Sequence, residues 1–194
     1  MTVRTQWFPM DGKLGVDLNT PVSVDVSTIP EVPMQPINLG ERVQANNGSE
    51  WVYVQASTTV TAFNVVAVDR NLQVRNITTA ILASGIYAFG IAEFQTGQTS
   101  AGTAPLGVAN AGQFFWMLNK AIGGAKVNIV TDDSAQPGVG LYVSGTAGRV
   151  NDTGGSNERL NGLQLVGTAS GTAGEVVGFS YIMPGILISV SDSA

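Results

Sequence analysis

Carboxylate side chains are the groups in this sequence that could do chemistry, because its 194 residues include no His and no Cys. That composition excludes a Ser-His-Asp triad, a thiolate nucleophile and the usual zinc sites. Glu50, Glu93 and Glu175 fall in segments predicted as strands, and two carboxyls about 5 to 9 Å apart could serve a glycosidase. Nothing in their spacing brings such a pair together. We therefore interpret Glu50 and Glu93 as strand residues that face solvent or a partner protein.

Two further polar motifs are predicted to be turns rather than sites. Asp132-Asp133 precedes Pro137-Gly138. A metal site there would need a third ligand, whereas a turn needs only local hydrogen bonds. The stretch 123–126 has a Lys after two glycines, but it lacks the spacing of a phosphate-binding loop and the Ser or Thr that follows the Lys. The sequence therefore predicts no catalytic residue, no cofactor and no metal site, and we expect that the protein is not an enzyme.

The chain carries few charges. Charged residues make up 12% of the sequence, against a usual share of ~25%, and the net charge is −5. No segment is a basic patch, so we predict no nucleic-acid partner. No apolar run approaches the ~20 residues that a membrane span needs, so we predict no membrane partner and expect a soluble intracellular product. Low charge is also typical of a surface that packs against other protein.

Residues 1–40 are predicted to form an extended N-terminal arm. Pro30, Pro33 and Pro36 recur at every third position of this arm. Each proline fixes its own φ and biases the preceding residue towards extended conformations, which favours polyproline II and excludes a helix.

One amphipathic strand is predicted just upstream of these prolines. Val22, Val24 and Val26 lie on one face and alternate with Ser, Asp and Ser on the other. Apolar residues nearer the N-terminus, such as Trp7 and Phe8, indicate that the arm is held down rather than solvated. Such a strand could add to the edge of a neighbouring sheet, where main-chain hydrogen bonds supply the affinity.

From about residue 41 the sequence changes to short β-rich runs separated by turn signals, as is typical of sandwiches and barrels. Strands are predicted at 50–56, 64–69, 72–75, 86–94, 105–109, 113–118, 126–130, 140–144, 163–166, 175–182 and 186–190. Loops rich in Gly, Thr and Ser are predicted at 95–104, 147–156 and 168–174. The one plausible helix is Ile77–Ser84. We therefore predict an all-β fold, a single β-sandwich or barrel-like domain of short antiparallel strands over residues 41–194.

The most apolar run contains three aromatic residues in succession. In a strand, alternation places Phe115 and Met117 on one face and Phe114, Trp116 and Leu118 on the other. Both faces are apolar, so both are expected to be buried. Two interpretations stay open: a central core strand, or a strand with one face under a neighbouring subunit. The candidate protein-interface residues are therefore Phe114 and Trp116, with Val22, Val24, Val26, Pro30, Pro33 and Pro36 of the arm.

Four stretches carry a resemblance to a known family. They are Ala88–Phe94 (AFGIAEF), 107–109 (GVA), Ala111–Trp116 (AGQFFW) and Gly140–Val150 (GLYVSGTAGRV). In these motifs the chain resembles the capsid decoration, or cement, proteins of tailed bacteriophages. The resemblance covers residues 50 to 190 and leaves out the arm.

The resemblance implies a structural virion protein with no catalytic residues. Similar proteins lie on the outer capsid surface, as trimers and sometimes as dimers, and bridge neighbouring major capsid subunits. We therefore expect two partners, the major capsid protein and other copies of this chain. We expect the protein on the outer capsid surface of the virion, after synthesis in the bacterial host cytoplasm. Two alternatives stay open: a phage tail or fibre subunit, and a carbohydrate-binding β module that uses Trp51, Trp116 or Tyr142 as stacking platforms.

Overall fold

A computed structural model describes residues 18, 21, 38–45, 48–84, 88–94, 107–121, 126–130, 136–153, 159–165, 176–178 and 180–182. Strands dominate this part of the chain. They are β1 (Arg42–Gln44), β2 (Glu50–Ala56), β3 (Val60–Thr61), β4 (Val65–Val68), β5 (Gln73–Asn76), β6 (Ala88–Ile91), β7 (Val108–Ala109), β8 (Phe114–Lys120), β9 (Lys126–Asn128), β10 (Gly140–Val143), β11 (Val150–Asn151), β12 (Arg159–Leu165), β13 (Val176–Gly178) and β14 (Ser180–Ile182). One short helix, α1, spans Thr79–Ser84. The all-β prediction is confirmed.

Five of the strands close into a barrel. They follow the order β2-β5-β4-β6-β8, and β2 also pairs with β8, so the sheet returns to its first strand. The closing β2–β8 ladder holds six registered pairs, from Glu50↔Lys120 to Gln55↔Phe114. The pairing is antiparallel throughout the ring except between β2 and β5, which run parallel at Gln55↔Gln73. Closure leaves these five strands without the free edges that an open sheet would have.

The barrel interior is filled by apolar side chains that range from Ala and Val to Met and Phe. They alternate along the strands with residues that point outward, as the two-residue period of a strand requires. The buried interior residues are Val52, Val54, Ala56, Val60, Ala62, Phe63, Val66, Val68, Val74, Ala92, Phe94, Ala109, Phe115 and Met117. A five-stranded barrel is narrow, so these side chains fill it and leave a packed core rather than a channel.

A second core lies on the outside of the barrel. There the outward-facing barrel residues, among them Trp51, Phe89 and Trp116, pack against a four-stranded sheet in the order β11-β10-β12-β14. The residues that this second sheet contributes are Leu141, Val143, Val150, Leu160, Leu163 and Leu165, each at most 2% exposed. The chain is therefore layered: a barrel with its own interior, and a sheet covering one side of it.

Strand β8 belongs to both cores. Phe115 and Met117 point into the barrel, whereas Trp116 and Leu118 point into the outer core. The predicted division of this run between two apolar faces is therefore confirmed. Of the two interpretations left open, the central core strand is the one that the structure shows, because this chain covers both faces itself.

The predicted short helix is present at one edge of the outer core. It begins at Thr79, and the hydroxyl of Thr78 accepts a hydrogen bond of 3.2 Å from the N–H of Ile81. A Thr side chain that satisfies one of the free N–H groups of the first turn is a standard N-cap. Leu82 anchors the helix, since it is 3% exposed in the outer core.

Several predicted boundaries are wrong. The strand predicted at 86–94 ends at Ile91, and the loop predicted at 147–156 contains β11. The strand predicted at 163–166 begins at Arg159 instead. The run predicted as one strand at 175–182 is divided into β13, which pairs with β9, and β14, which pairs with β12. Because the two halves of this run pair with different strands, they form two separate strands, and the apolar pattern of the run does not show where the pairing partner changes.

Among the described residues of the N-terminal arm, Leu18 is buried in the domain. Leu18 is 2% exposed and belongs to the outer core. The described chain resumes at Asn38, whose carbonyl accepts a hydrogen bond of 3.0 Å from the N–H of Glu41. This turn leads directly into the pairing with β2, because the N–H of Gly40 donates to the carbonyl of Tyr53 at 2.8 Å. The arm is therefore fastened to the domain at residue 18.

Replacing Gly90 with Ala tests how tightly the barrel is packed. A Cβ at this position would lie 2.6 Å from Sδ of Met117 and 2.7 Å from the carbonyl oxygen of Leu118. Because one of these neighbours is backbone in the closing strand, we expect Gly90→Ala to lower the free energy of unfolding by about 1–3 kcal/mol. Urea denaturation followed by tryptophan fluorescence measures the change.

Gly145→Ala is the matched control for this experiment. A Cβ at Gly145 has no atom within 4 Å, so we expect a change within about 0.5 kcal/mol. If Gly90→Ala unfolds at the same urea concentration as Gly145→Ala, β6 and β8 are not in close contact and the barrel is not closed as described.

Candidate functional site

Glu50 takes part in structural contacts at the start of β2. Its Oε1 lies 2.9 Å from Nη1 of Arg42 and accepts a hydrogen bond of 2.9 Å from Nδ2 of Asn119. The side chain of Glu50 is half-buried, and that of Arg42 is 66% exposed. The carboxylate thus joins the ends of β1, β2 and β8. An ion pair this exposed contributes at most ~1 kcal/mol to stability.

Glu93 does not face solvent, and the interpretation that it does is wrong. It follows β6 rather than lying in it, and it is 6% exposed. Desolvation by burial raises its pKa to about 8, although the nearby Lys126 ammonium and a hydrogen bond from the Lys126 N–H both act to lower that pKa. Glu93 is therefore mostly a neutral carboxylic acid at pH 7, the form that burial favours.

A chain of buried amides runs beside Glu93. Nδ2 of Asn128 donates to Oδ1 of Asn64 at 3.1 Å, and Nδ2 of Asn64 donates to Oδ1 of Asn76 at 2.9 Å. Nδ2 of Asn76 in turn donates to the carbonyl of Thr59 at 3.1 Å. Asn64 and Asn76 each act as donor and as acceptor, which lowers the desolvation cost of placing an amide inside the fold. Asn128 only donates, and its buried Oδ1 has no hydrogen-bond partner among the described residues.

Phe63 links Glu93 and the amides through its backbone. Its N–H donates to the carbonyl of Ala92 at 2.7 Å, and its carbonyl accepts from the N–H of Asn128 at 2.8 Å. To make both bonds it adopts φ of 65°, a left-handed conformation that costs a bulky residue on the order of 1–3 kcal/mol. Its ring centroid lies 5.7 Å from Nζ of Lys126. Nothing in the sequence marks this position.

We call Phe63, Asn64, Glu93, Lys126 and Asn128 the barrel-end cluster. It holds one carboxyl, an exposed ammonium and two buried amides. Within the described residues, the contacts of Glu93 share no residue with those of Glu50. The structure therefore does not join these two carboxyls into the pair that glycoside hydrolysis needs.

The remaining acidic candidates lie outside the described residues: Asp132, Asp133 and Glu175. Among the residues that are described, no group of three or more His, Cys, Asp or Glu side chains is placed to hold a metal ion. In the same part of the chain, no helix has the length and apolar character to cross a membrane.

The two candidate interface residues in β8 lie within the fold. Trp116 is 3% exposed in the outer core, and its ring centroid is 5.1 Å from that of Tyr53. Phe114 is half-buried and stacks on the same Tyr53 ring, with a centroid distance of 5.8 Å and an interplanar angle of 14°. Trp116 thus offers a partner chain almost no surface. Outside the described residues lie the other candidates: Val22, Val24, Val26, Pro30, Pro33 and Pro36.

Two of the three aromatic platforms suggested for a carbohydrate-binding module are buried. Trp51 is 0% and Trp116 is 3% exposed, so neither ring can stack on a sugar. Tyr142 is half-buried on the outward face of the second sheet, opposite Asn151 in β11 and Arg159 in β12. That alternative depends on exposed aromatic faces and is left with one partly accessible ring.

Comparisons with known proteins found no match: no family model fits the chain, and no curated protein or solved structure is significantly similar to it.

Replacing Asn64 with Ala tests the amide chain. The change removes a donor to Asn76 and the acceptor for Asn128, which is 2% exposed. Because a buried polar group without a partner costs about 1–3 kcal/mol, we expect Asn64→Ala to lower the free energy of unfolding by about 2–4 kcal/mol. Thermal and urea denaturation measure this loss.

Asn71→Ala is the matched control, because Asn71 is exposed and only its backbone N–H is bonded, to Oδ1 of Asp69. We expect its stability to stay within about 0.5 kcal/mol of the parent. Equal stability of the two variants would mean that the buried amides contribute nothing to the fold.

Proposed function

We propose that this chain is a capsid decoration, or cement, protein of a tailed bacteriophage. It binds the outer capsid surface as a homo-oligomer, a trimer or a dimer, and stabilises contacts between neighbouring major capsid subunits. The proposal rests on the motif resemblance together with one structural observation: the described residues of the domain bury most of their large apolar side chains within this chain. A protein of this kind acts by mass action, because whatever binds the assembled shell and not its parts favours the assembled shell.

The internal packing of the domain supports this role. Among the described residues, the large apolar side chains that are exposed are Leu39 and Val108, at 38% and 40%. Both faces of β8 and the inner face of the second sheet are buried within the chain. A domain built this way needs no partner to complete its core, so it can fold first and then add to a finished shell.

The arm provides the attachment in this proposal. Leu18 fastens it to the outer core, so the predicted strand at 22–27 and the prolines after it lie between two fixed points, residue 18 and the turn at residue 38. A strand presented on such a loop can pair with a free sheet edge of a capsid subunit or of a neighbouring copy. The domain then serves as the rigid base from which the arm reaches.

The first prediction from this proposal concerns Leu18. Truncating a fully buried Leu removes apolar contacts and leaves a cavity, so we expect Leu18→Ala to lower the free energy of unfolding by about 2–5 kcal/mol. Urea denaturation of the full chain measures it. The control is Leu39→Ala, since Leu39 is 38% exposed, and it should leave stability nearly unchanged. If the two variants are equally stable, residue 18 is not part of the core.

The second prediction concerns attachment. Replacing residues 22–36 with a Gly/Ser linker of equal length keeps Leu18 in place, so we expect a domain of parental stability that binds capsids weakly. The measurement is rebinding of purified protein to phage particles that lack it, followed by heating of the decorated and bare particles. The parent chain should raise the temperature at which the particles rupture, and the linker variant should not.

Four results would contradict parts of the proposal. If the parent chain fails to rebind, or if the particles rupture at the same temperature with and without it, the cement role is wrong. Equal occupancy by the linker variant in electron micrographs means that the arm is not the attachment segment. Density at the tail instead of on the shell favours the tail or fibre alternative.

A further inference from the structure

The edge of β9 is held against the barrel by one backbone hydrogen bond and two side-chain hydrogen bonds, one of which is the bond from Nδ2 of Asn128 to Oδ1 of Asn64. The N–H of Asn128 donates to the carbonyl of Phe63 at 2.8 Å. Two residues earlier, the N–H of Lys126 donates to the Glu93 carboxyl. Glu93 thus takes the place that a backbone carbonyl has in an ordinary ladder. On its other edge β9 pairs with β13, through Val176↔Asn128, Val177↔Val127 and Gly178↔Lys126.

The contact between β9 and the barrel, which we call the seam, has more hydrogen-bond acceptors than donors when Glu93 is ionised. Oε2 of Glu93 and Oδ1 of Asn128 are both buried, and within the described part of the chain neither has a hydrogen-bond partner. Glu93 is 6% and Asn128 2% exposed. An ionised Glu93 adds a buried negative charge to these unpaired acceptors, whereas a protonated Glu93 carries no charge and supplies a donor. The geometry alone therefore favours the acid form while the seam is closed.

The charged group that acts on Glu93 is Lys126, which approaches from β9. Its ammonium lies near the ring of Phe63 and is exposed, so solvent screens its attraction for the carboxylate. Among the described residues, the chain neighbours of Glu93 are Ala92 and Phe94, and the segment hydrogen-bonded to Ala92 is Phe63-Asn64; none of these four residues is charged. No second cation in these segments offsets ionisation of Glu93.

We propose that Glu93 is a pH-sensitive latch that holds β9 and its partner β13 against the barrel while its carboxyl is protonated and releases them as it ionises. When the seam opens, water reaches the carboxyl and its pKa returns towards its ordinary value. The open state therefore binds the proton less tightly than the closed state, and a rise in pH favours opening. This latch is a property of the fold and does not depend on the capsid role.

The sign and the pH range follow from the two pKa values. The pKa is about 8 in the closed state and 4.5 in the ordinary, solvated state. Below pH 4.5 both states hold the proton and the latch is at full strength. Between these values the opening constant rises about tenfold per pH unit, because opening releases one proton. Above pH 8 both states are ionised and the opening constant levels off, at a value on the order of 10³ higher than at pH 4.5.

Amide hydrogen exchange of the full chain tests the latch. Protection factors of Lys126–Asn128 and Val176–Gly178, corrected for the intrinsic exchange rate, should fall about tenfold per pH unit from pH 5 to pH 8 and then stay constant. The amides of β2 are the internal control and should keep their protection. In Glu93→Gln, the amide keeps an acceptor for the Lys126 N–H and cannot ionise, so the protection of β9 should not change with pH. Glu50→Gln, which removes a carboxylate outside the barrel-end cluster, should behave like the parent.

A second variant keeps the test decisive if Glu93→Gln fails to fold. Lys126→Met removes the cation that lowers the pKa of Glu93, so the pH at which protection levels off should move upward. Any of three results would overturn the proposal: constant β9 protection in the parent, the same pH slope in Glu93→Gln, or no shift in Lys126→Met. A parallel fall in the protection of β2 would also overturn it, because Glu93 would then control the whole fold and not a latch.

Discussion

The pairing of β2 with β8 is the interaction on which the rest of the structure depends. These two strands are seven residues each, and their ladder converts a six-stranded sheet into a closed barrel. Closure turns one face of β8 inward and leaves the other outward, so Phe115 and Trp116 are neighbours in sequence and belong to different cores. The second sheet has a surface to pack on because closure presents Trp51, Trp116 and Leu118 together on the outside of the barrel.

The sequence predicted those features that depend on neighbours along the chain. The bounds of β2 follow from a β-rich run after a turn signal, and the two-faced character of β8 follows from alternation within its apolar run. The short helix lies within Ile77–Ser84, the one stretch where a helix was plausible. Features that depend on partners distant in the sequence were not predicted. The parallel pairing of β2 with β5, the closure by β8 and the division between β13 and β14 require registers between residues tens of positions apart, and no local pattern records them.

The barrel-end cluster shows the same limit for chemistry. Asn64 and Asn128 are 64 positions apart in the chain, and each alone looks like a turn residue. Glu93 lies between the alternating apolar residues Ala92 and Phe94, a pattern that predicts a solvent-facing side chain in a strand. The strand ends at Ile91 instead, and β9 crosses over Glu93. The sequence held one hint that Glu93 is buried. It is a polar residue directly after a buried strand, and no Gly, Pro or Ser beside it signals a loop.

Burial of Glu93 is a cost that a purely structural domain could avoid by placing Gln or a backbone carbonyl at the same position. The amide chain beside it is paired except at Oδ1 of Asn128, so the energetic cost of the cluster falls on that oxygen, on the Glu93 carboxyl and on the strained φ of Phe63. These groups belong to the joint between the barrel and β9. Stability is therefore distributed unevenly. The closed barrel is held by apolar packing, which does not depend on pH. The joint between the barrel and β9 depends on Glu93, whose charge changes with pH. A protein that must keep a rigid base and still adjust its outer layer has a physical use for that division.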